Sequence, residues 1–311
     1  MQHQTISRMF PILIVIGLLL TSCSSGNDNS TLYPSDTPAA NPTQPKVSMA
    51  IVDASPTPTP EPTITFTATL PPPTPTPTLT PTPQWTYNEP GVVAAPILLY
   101  HKVDGDSFTS RYQVSIPDFQ AQMAAIQELG YTPIGMSLFL EALLNGAELP
   151  PKPIVITFDD GDLSVYEHAF PIMEEFGYPG VFYIVANRIH NSPGFVTIDQ
   201  LKEMIAAGWE IGSHSYTHSD ITLDHNIAPK EVGQSKADLE AALGVRVNTF
   251  AYPYGKIDPF TAQKVSDFAY RAGMGLGTKK VHTLSNWLYL ERIEIYGEYT
   301  LENFIELLTK E

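Results

Sequence analysis

The sequence predicts an α/β domain built on a parallel sheet, either open or closed into a barrel, and the barrel is favoured. Short apolar runs alternate with segments whose apolar residues recur at helical spacing, which is the pattern of a parallel sheet with helical crossovers. The polar motifs come directly after the apolar runs, and α/β barrels hold their functional residues at the carboxyl ends of their strands. We therefore expect a barrel that carries a site at one end.

The predicted strands and helices follow one another in order from residue 96. Strands are expected at 96–103, 153–160, 180–186, 209–215, 247–255 and 288–297. Helices are expected at 117–129, 136–144, 163–176, 198–207, 228–243, 259–272 and from 301 onwards. The helix at 117–129 begins with a proline and ends at Gly130, and the next ends at Asn145 and Gly146. Both are ordinary helix boundaries.

Residues 1–23 have the pattern of an export signal. A short, weakly basic start precedes an apolar run from Met9 to Leu20, which is shorter than a comfortable membrane span. The small residues that lead to Cys23 resemble the lipobox of bacterial lipoproteins. This resemblance implies an exported chain with lipid on Cys23, anchored to the membrane on its extracellular or periplasmic side; an ordinary signal peptide is the alternative. Cys23 is the single cysteine of the sequence, so it excludes an intrachain disulfide and a cysteine nucleophile in the domain.

Residues 24–90 are predicted to be a disordered tether, and residues 91–311 to be the folded domain. The first segment contains 16 of the 29 prolines, many of them alternating with threonine, and it lacks the apolar residues that a core requires. The domain has 28 acidic and 15 basic residues. This acidic balance argues against nucleic acid as a partner and is compatible with neutral or cationic substrates.

The stretch "TFDDGD" places three carboxylates where a strand is expected to end and a helix to begin. Asp159, Asp160 and Asp162 lie within four residues of one another. Capping the helix requires one acid, and we assign Asp162 to capping or to binding a water molecule. Crowded carboxylates repel one another unless a cation or a proton compensates them. The stretch therefore predicts a metal site.

The stretch "SHSYTHSD" provides the other expected ligands. His214 and His218 are four residues apart after a predicted strand, and histidines at this spacing in a helical turn can face one ion. Two histidines and one carboxylate, with a coordination position left for water, are typical of a hydrolytic zinc site. Two unrelated surface histidines are the alternative.

A third stretch, "FAYPYGK", again follows a predicted strand. Its turn can direct backbone N–H groups into a pocket, where they would stabilise an oxyanion. In this order, "TFDDG", "HSYTH" and "FAYPYG" resemble the first three motifs of the polysaccharide deacetylase family, which has the NodB homology domain and is also called carbohydrate esterase family 4. The resemblance covers residues 96–295, and "ILLYHKV" is similar to the opening of one branch of the family.

The resemblance implies a distorted (β/α) barrel that removes acetyl groups from N-acetylated sugars with the help of a metal. It implies that Asp159 is the general base and that the Tyr254 backbone N–H polarises the acetyl carbonyl. It also implies that Asp160, His214 and His218 hold one divalent ion. We expect Zn²⁺, with Co²⁺ or Ni²⁺ as alternatives.

Two positions depart from the family pattern. Ala251 stands where the family has an arginine that orients the base, and Glu294 or Ile295 stands where a general-acid histidine is usual. We predict that Arg292 replaces the arginine and that His101 donates the proton to the leaving amine.

Alternatives to both assignments remain open. Arg292 is as readily paired with Glu291 or Glu294, and His101 with a partner in the core. A histidine on a mobile loop, either His225 or His282, is another candidate for the acid.

Three functions compete on these residues. The first is an N-acetyl polysaccharide deacetylase, the second an esterase for O-acetyl groups, and the third a polysaccharide-binding protein without turnover. Four aromatic residues are candidates for stacking on sugar rings, although at least two are expected in the core: Trp209, Tyr252, Tyr254 and Trp287. The sequence does not define the oligomeric state or the polymer.

Overall fold

A computed structural model describes residues 84–190 and 192–310. The predicted signal peptide, the lipobox at Cys23 and all but the last residues of the tether lie outside the described residues. Within the two described ranges, no helix has both the length and the apolar character needed to cross a membrane.

The described part of the chain contains fourteen short strands and seven α-helices. The strands are β1 (Thr86–Asn88), β2 (Val92–Ala94), β3 (Ile97–Tyr100), β4 (Lys102–Val103), β5 (Gln113–Val114), β6 (Thr132–Pro133), β7 (Ala147–Leu149), β8 (Pro153–Phe158), β9 (Val181–Ile184), β10 (Glu210–Ser213), β11 (Thr249–Ala251), β12 (Ala272–Met274), β13 (Val281–Thr283) and β14 (Ile293–Glu294). The helices are α1 (Ile116–Glu128), α2 (Met136–Leu144), α3 (Phe170–Phe176), α4 (Ile198–Ala206), α5 (Ser235–Leu243), α6 (Pro259–Asp267) and α7 (Leu301–Thr309).

One parallel sheet forms the centre of the domain. Its strand order is β12-β11-β10-β9-β8-β3-β14, with β6 paired to β8 beside this path. Every neighbouring pair in the sheet is parallel. Since parallel neighbours require crossover connections, the alternation of strands and helices predicted from the sequence is confirmed.

The two edges of this sheet meet through the segment that leads into β14. Leu290 bonds with β12, because its N–H donates to Gly273 O and its carbonyl accepts from Gly275 N, both at 2.8 Å. A few residues later, Ile293 pairs with Leu98 of β3. The segment thereby joins both edges and curls the sheet into a distorted (β/α) barrel, as predicted.

The twofold alternation of side chains along β8 separates two cores. Ile156 and Phe158 pack in the larger cluster between the sheet and the outer helices. Val155 packs in a second cluster inside the barrel, together with Phe139 of α2. α2 therefore covers the amino-terminal end of the barrel and leaves the carboxyl end for polar residues. Asp159 shares the parity of Val155, so the alternation directs it to the barrel interior.

Several element boundaries differ from the sequence-based expectation. The helix predicted at 259–272 ends at Asp267, and Ala272–Met274 is strand β12. Ala269, at φ 56°, breaks the helix between them. The helices predicted at 163–176 and 228–243 each begin with a π-helical segment, Val165–Ala169 and Pro229–Gln234. The amphipathic pattern does not distinguish these windings, because a π-helical segment occurs as a single short turn inside an otherwise α-helical stretch.

Candidate active site

A cavity of about 380 Å³ opens at the carboxyl end of the barrel. Strands β3, β8, β10 and β11 all end at its floor. All seven site residues predicted from the sequence line it: His101, Asp159, Asp160, His214, His218, Tyr254 and Arg292. Parallel strands therefore bring together motifs that are far apart in the chain.

Asp160, His214 and His218 form a candidate metal site. One ligand atom from each of these side chains lies within 4.8 Å of the others. His218 Nε2 is 3.5 Å from Asp160 Oδ1. Two imidazoles and one carboxylate are a donor set that suits Zn²⁺, Co²⁺ or Ni²⁺.

The two histidines converge through an irregular loop, and the predicted helical turn is wrong. Ser215 and His218 have φ angles of 67° and 66°, in the left-handed region that non-glycine residues seldom adopt. The loop is fixed by His218 N–H, which donates to Ser215 Oγ at 2.8 Å, and by Thr217 N–H, which donates to Glu231 Oε2 at 2.8 Å. Glu231 comes from the next helical segment, so a local pattern could not reveal this geometry.

The hydrogen bonding of His214 prepares one ring nitrogen for a metal. His214 Nδ1 lies 2.9 Å from the carbonyl oxygen of Ala251. A carbonyl only accepts, so Nδ1 carries the proton and Nε2 keeps its lone pair. Burial, followed by the neighbouring His214, lowers the pKa of His218 to about 4. His218 is therefore neutral near pH 7, as a ligand must be, and the donor set fits a divalent ion.

Asp159 and Arg292 form a buried bidentate ion pair. Arg292 Nη1 lies 2.7 Å from Asp159 Oδ1, and Nη2 lies 2.7 Å from Oδ2. Arg292 thus contacts the predicted base rather than Glu291 or Glu294. Burial raises the pKa of Asp159, but the charge of Arg292 and its hydrogen bonds outweigh burial and bring the pKa to about 2. Asp159 is consequently ionised at neutral pH.

His101 lies on the wall of the cavity, beside Glu294, which stands where the family usually has a histidine. Its Nδ1 is buried and makes no hydrogen bond to the described residues. Glu294 Oε1 is 3.9 Å away, and Glu294 Oε2 accepts a hydrogen bond from Tyr296 at 2.5 Å. Burial lowers the pKa of His101, against the opposing effect of Asp159 and other nearby carboxylates. His101 is therefore a half-enclosed imidazole with a carboxylate facing one nitrogen.

Tyr254 occupies a tight turn directly after β11. Its backbone is left-handed, with φ 59° and ψ 13°, and its ring centroid is 4.6 Å from that of His218. The side chain is 59% exposed. The turn therefore places both the backbone and the ring of Tyr254 at the edge of the metal site.

Other sequence-based candidates lie away from the chemistry. The His282 side chain is buried against Phe139, on the far side of the barrel from the cavity mouth. His225 Nε2 is 2.6 Å from Asp258 Oδ2. Neither residue lines the cavity, so the proposal of a loop histidine as the acid is wrong for this conformation.

The aromatic candidates divide between the core and the cavity. Trp209 is buried and stacks on Phe158 with ring centroids 5.4 Å apart, so it is a core residue. Trp287 is half-buried and is absent from the cavity lining. Tyr252 is buried at the cavity wall, and Tyr254 is exposed there.

Asp162, assigned to capping, accepts a hydrogen bond from Ser164 N–H at 3.1 Å and pairs with Lys102 at 2.8 Å. It therefore stays outside the metal site.

Sequence reasoning missed Arg188, whose Nη1 lies 3.3 Å from both Oδ1 and the backbone oxygen of Asp160. It also missed Tyr112, which lines the cavity next to His101. An arginine or a tyrosine outside the motifs gives no signal in a single sequence.

Fold and site together define a class of protein: an α/β barrel with a two-histidine, one-carboxylate donor set and a buried aspartate at the carboxyl ends of its strands. The family model for polysaccharide deacetylases matches residues 146–273. The described barrel therefore carries a polysaccharide deacetylase domain over these residues.

Similar proteins agree with this assignment. The chain is 27% identical, over 183 residues, to a Bacillus subtilis (strain 168) protein named for the same family; the match covers 58% of this chain and 63% of that protein. It is 25% identical, over 199 residues, to a Staphylococcus aureus poly-β-1,6-N-acetyl-D-glucosamine N-deacetylase, covering 59% and 68% of the two chains. The fold is similar to that of the Streptococcus pyogenes deacetylase PplD in complex with acetate, with a TM-score of 0.63, 24% identity, and coverage of 73% of this chain and 99% of that one.

Proposed function

We propose that this protein is a metal-dependent hydrolase that removes N-acetyl groups from an N-acetylglucosamine-containing polysaccharide outside the cell membrane. The observation that carries the proposal is the position of Asp159, held ionised by Arg292 at the side of the Asp160, His214 and His218 donor set. The name of the Staphylococcus aureus relative supports the substrate class. Peptidoglycan, a chitin-like polymer and an exopolysaccharide all carry the required N-acetyl group.

Asp160, His214 and His218 would hold one divalent ion, with Zn²⁺ expected and Co²⁺ or Ni²⁺ as alternatives. When bound, the ion supplies a Lewis acid at the floor of the cavity. The bond from His214 Nδ1 to the Ala251 carbonyl fixes the ring orientation in which Nε2 faces the site.

Asp159 acts as the general base. It takes a proton from the attacking water while the water oxygen bonds to the acetyl carbon. The two hydrogen bonds from Arg292 fix both carboxylate oxygens in direction and keep the group charged before the reaction. The backbone N–H of Tyr254 donates to the oxygen that becomes negative when the tetrahedral centre forms.

His101 acts as the general acid. As the carbon–nitrogen bond breaks, His101 gives a proton to the amine that remains on the sugar, and acetate leaves on the other side. Glu294 faces the opposite ring nitrogen of His101 at 3.9 Å. A small shift would close this distance to a hydrogen bond and would hold the proton-bearing nitrogen toward the substrate.

Hydrolysis of O-acetyl groups is the second candidate function. It is favoured by one observation, the absence of a histidine at Glu294, the usual position of the acid. An alkoxide leaves with less need of a proton than an amine does. A binding protein without turnover is a weaker candidate, because binding alone does not require the Asp159–Arg292 pair beside a complete donor set.

The site of action is proposed from the amino-terminal sequence. Lipid on Cys23 would anchor the exported chain to the membrane, and the proline-rich segment would let the barrel reach a wall or capsule polymer. Cys23→Ala is expected to release the protein from the membrane fraction without changing its activity. Retention of the variant in washed membranes would contradict lipid anchoring.

The function is tested by acetate release from defined polymers. We would incubate the protein with N-acetylated chitooligosaccharides, β-1,6-linked N-acetylglucosamine oligomers, peptidoglycan and acetylated xylan, with Zn²⁺ or Co²⁺ and separately with EDTA. Acetate from an N-acetylated polymer that disappears with EDTA and in Asp159→Asn is the expected result. Acetate from xylan alone would favour the O-acetyl function, and none from any polymer would overturn both hydrolytic proposals.

A further inference from the structure

We propose that Tyr183 is a positioning residue for the general base: its buried ring holds the Arg292 guanidinium in the place from which Arg292 orients Asp159. The inference rests on the proposed function, in which Asp159 takes a proton from the attacking water. Tyr183 lies on β9 and is completely buried in the interior of the barrel. It does not line the cavity and belongs to none of the sequence motifs.

The guanidinium of Arg292 lies over the ring of Tyr183. Its Cζ atom is 5.1 Å from the ring centroid, within the range of about 6 Å over which an aromatic face attracts a cation. Both side chains are buried, and this attraction is stronger where water is excluded. Burial raises the pKa of the Tyr183 phenol well above its usual range. The ring is therefore neutral, and the contact is a cation–π interaction instead of an ion pair.

The hydrogen bonds of Arg292 explain why the ring matters. The two short bonds go to Asp159, which is the group to be oriented. The others run from Nε to the Gly275 oxygen and from Nη1 to Thr157 Oγ1, both at 3.3 Å, whereas N–H···O bonds are commonly about 2.9 Å long. A base cannot be oriented by a partner that only the base itself holds. Arg292 therefore depends on the Tyr183 ring in addition to two long hydrogen bonds.

Gly212 leaves the room that the ring of Tyr183 occupies. The two residues are paired across β9 and β10. A Cβ atom at Gly212 would lie 2.2 Å from Cε1 and 2.3 Å from Cδ1 of Tyr183, so any side chain there would displace the ring. Gly212 is not among the residues with a positive φ. The glycine thus provides space for the ring and does not serve a turn of the backbone.

The aromatic face can be tested separately from the volume of the side chain. The Tyr183 hydroxyl makes no hydrogen bond to the described residues, so Tyr183→Phe removes no bond and keeps the face. Tyr183→Leu removes the face and keeps an apolar side chain. The matched control is Phe139→Leu, at another completely buried ring of the same interior cluster, on α2. Phe139→Leu loses a comparable ring without touching Arg292.

The first measurement is turnover of an N-acetylated oligosaccharide by the metal-loaded full chain. Tyr183→Leu is expected to lower kcat about tenfold, which is the scale of a buried cation–π contact. KM should stay within about twofold, because Asp159 acts on the water and not on substrate binding. Tyr183→Phe and Phe139→Leu should both keep the natural kcat. An unchanged kcat in Tyr183→Leu, or an equal loss in Phe139→Leu, would overturn the positioning role.

The second measurement needs no substrate. Hydrogen exchange of the Arg292 Nε–H is followed by NMR on the Zn²⁺-supplemented full chain, and the signal is assigned by its loss in Arg292→Lys. Tyr183→Leu is expected to speed this exchange at least about tenfold, because the guanidinium is released more often. Tyr183→Phe and Phe139→Leu should exchange at the natural rate.

The exchange measurement separates this inference from the proposed function. Unchanged exchange in Tyr183→Leu would overturn the positioning role, whether or not a polymer is hydrolysed. Faster exchange in a protein that releases no acetate would mean that the positioning role stands and the proposed hydrolysis fails. If Tyr183→Leu does not fold, Gly212→Ala displaces the ring instead and should speed the exchange in the same way. A folded Gly212→Ala with natural exchange would then overturn the inference.

Discussion

Arg292 and Asp159 make a two-pronged ion pair in the interior of the barrel, with both nitrogen–oxygen distances at 2.7 Å. The partners are 133 residues apart in sequence, and each side chain is almost completely buried. Arg292, directly before β14, thereby orients Asp159, directly after β8, whereas Ala251 of β11 offers only a carbonyl to His214. Within the described part of the chain, Arg292 thus compensates for the arginine that the family has at the position of Ala251.

Removal of one partner of this pair should cost stability as well as activity. Arg292→Met leaves a buried carboxylate without its counter-charge, and we expect the free energy of unfolding to fall by about 3–5 kcal/mol. The double variant Arg292→Met/Asp159→Asn removes both charges, so it should recover much of that loss while staying inactive. Urea unfolding of the natural chain, of Arg292→Met, of Asp159→Asn and of the double variant measures this. A double variant as unstable as the sum of the single ones would contradict a coupled pair.

The leaving group should decide how much His101 matters. His101→Ala is expected to lower kcat on an N-acetylated oligosaccharide about 10²–10⁴-fold, because the amine must be protonated as it leaves. p-Nitrophenyl acetate has a leaving group that needs no proton, and its hydrolysis should change little. Glu294→Gln should show the same selectivity with a smaller loss. Equal losses on both substrates would mean that His101 shapes the site instead of donating a proton.

Arg188 should tune metal binding through Asp160. Its guanidinium contacts both the backbone and the side-chain oxygen of Asp160, whose own φ is 75°, and it lies 4.5 Å over the Phe195 ring. Partners that orient a ligand typically contribute 10–100-fold to metal affinity. We therefore expect Arg188→Met to weaken Zn²⁺ binding by about that factor.

Competition with a fluorescent zinc chelator measures this affinity without any substrate. Arg246→Met, at an exposed arginine outside the cavity lining, is the matched control and should leave the affinity unchanged. Tighter Zn²⁺ binding in Arg188→Met would show instead that the positive charge repels the ion more than the contact orients the carboxylate.

The parts of the fold that depend on short-range pattern were predictable, and the parts that depend on distant partners were not. Strand β8 and the aspartates after it were expected from an apolar run followed by a polar motif. Strand β12 was missed because the predicted helix continued to Ala272, the first residue of the strand, and only the left-handed Ala269 separates the two elements.

The same distinction holds within the site. Motif order brought Asp159, Asp160, His214 and His218 together in the prediction. Whether Arg292 would meet Asp159 or an adjacent glutamate could not be decided from the sequence, because the glutamates are its neighbours in the chain while Asp159 becomes a neighbour only when the barrel closes. The geometry of the histidine loop likewise depends on Glu231, which binds the loop from a later helical segment.

His282 should make the fold sensitive to acid. Burial is the main cause that lowers its pKa to about 4, whereas an exposed histidine in the unfolded chain titrates near about 6.5. Above that pH both states are neutral at this residue, and it contributes no pH dependence. Between about pH 6.5 and pH 4 the unfolded chain binds a proton that the folded chain does not, so stability falls as the pH falls. The expected loss is at most about 3.5 kcal/mol, on the scale of about 1.4 kcal/mol per pKa unit.

Urea unfolding at pH 7, 5.5 and 4.5 measures this loss on the natural chain and on His282→Leu. The leucine variant lacks the titrating group, so its stability should fall less between pH 7 and 4.5. His190→Leu, at an exposed histidine, is the control and should keep the natural pH dependence. If His282→Leu and the natural chain lose the same stability on acidification, then His282 is protonated inside the fold and the buried neutral histidine inferred here is wrong.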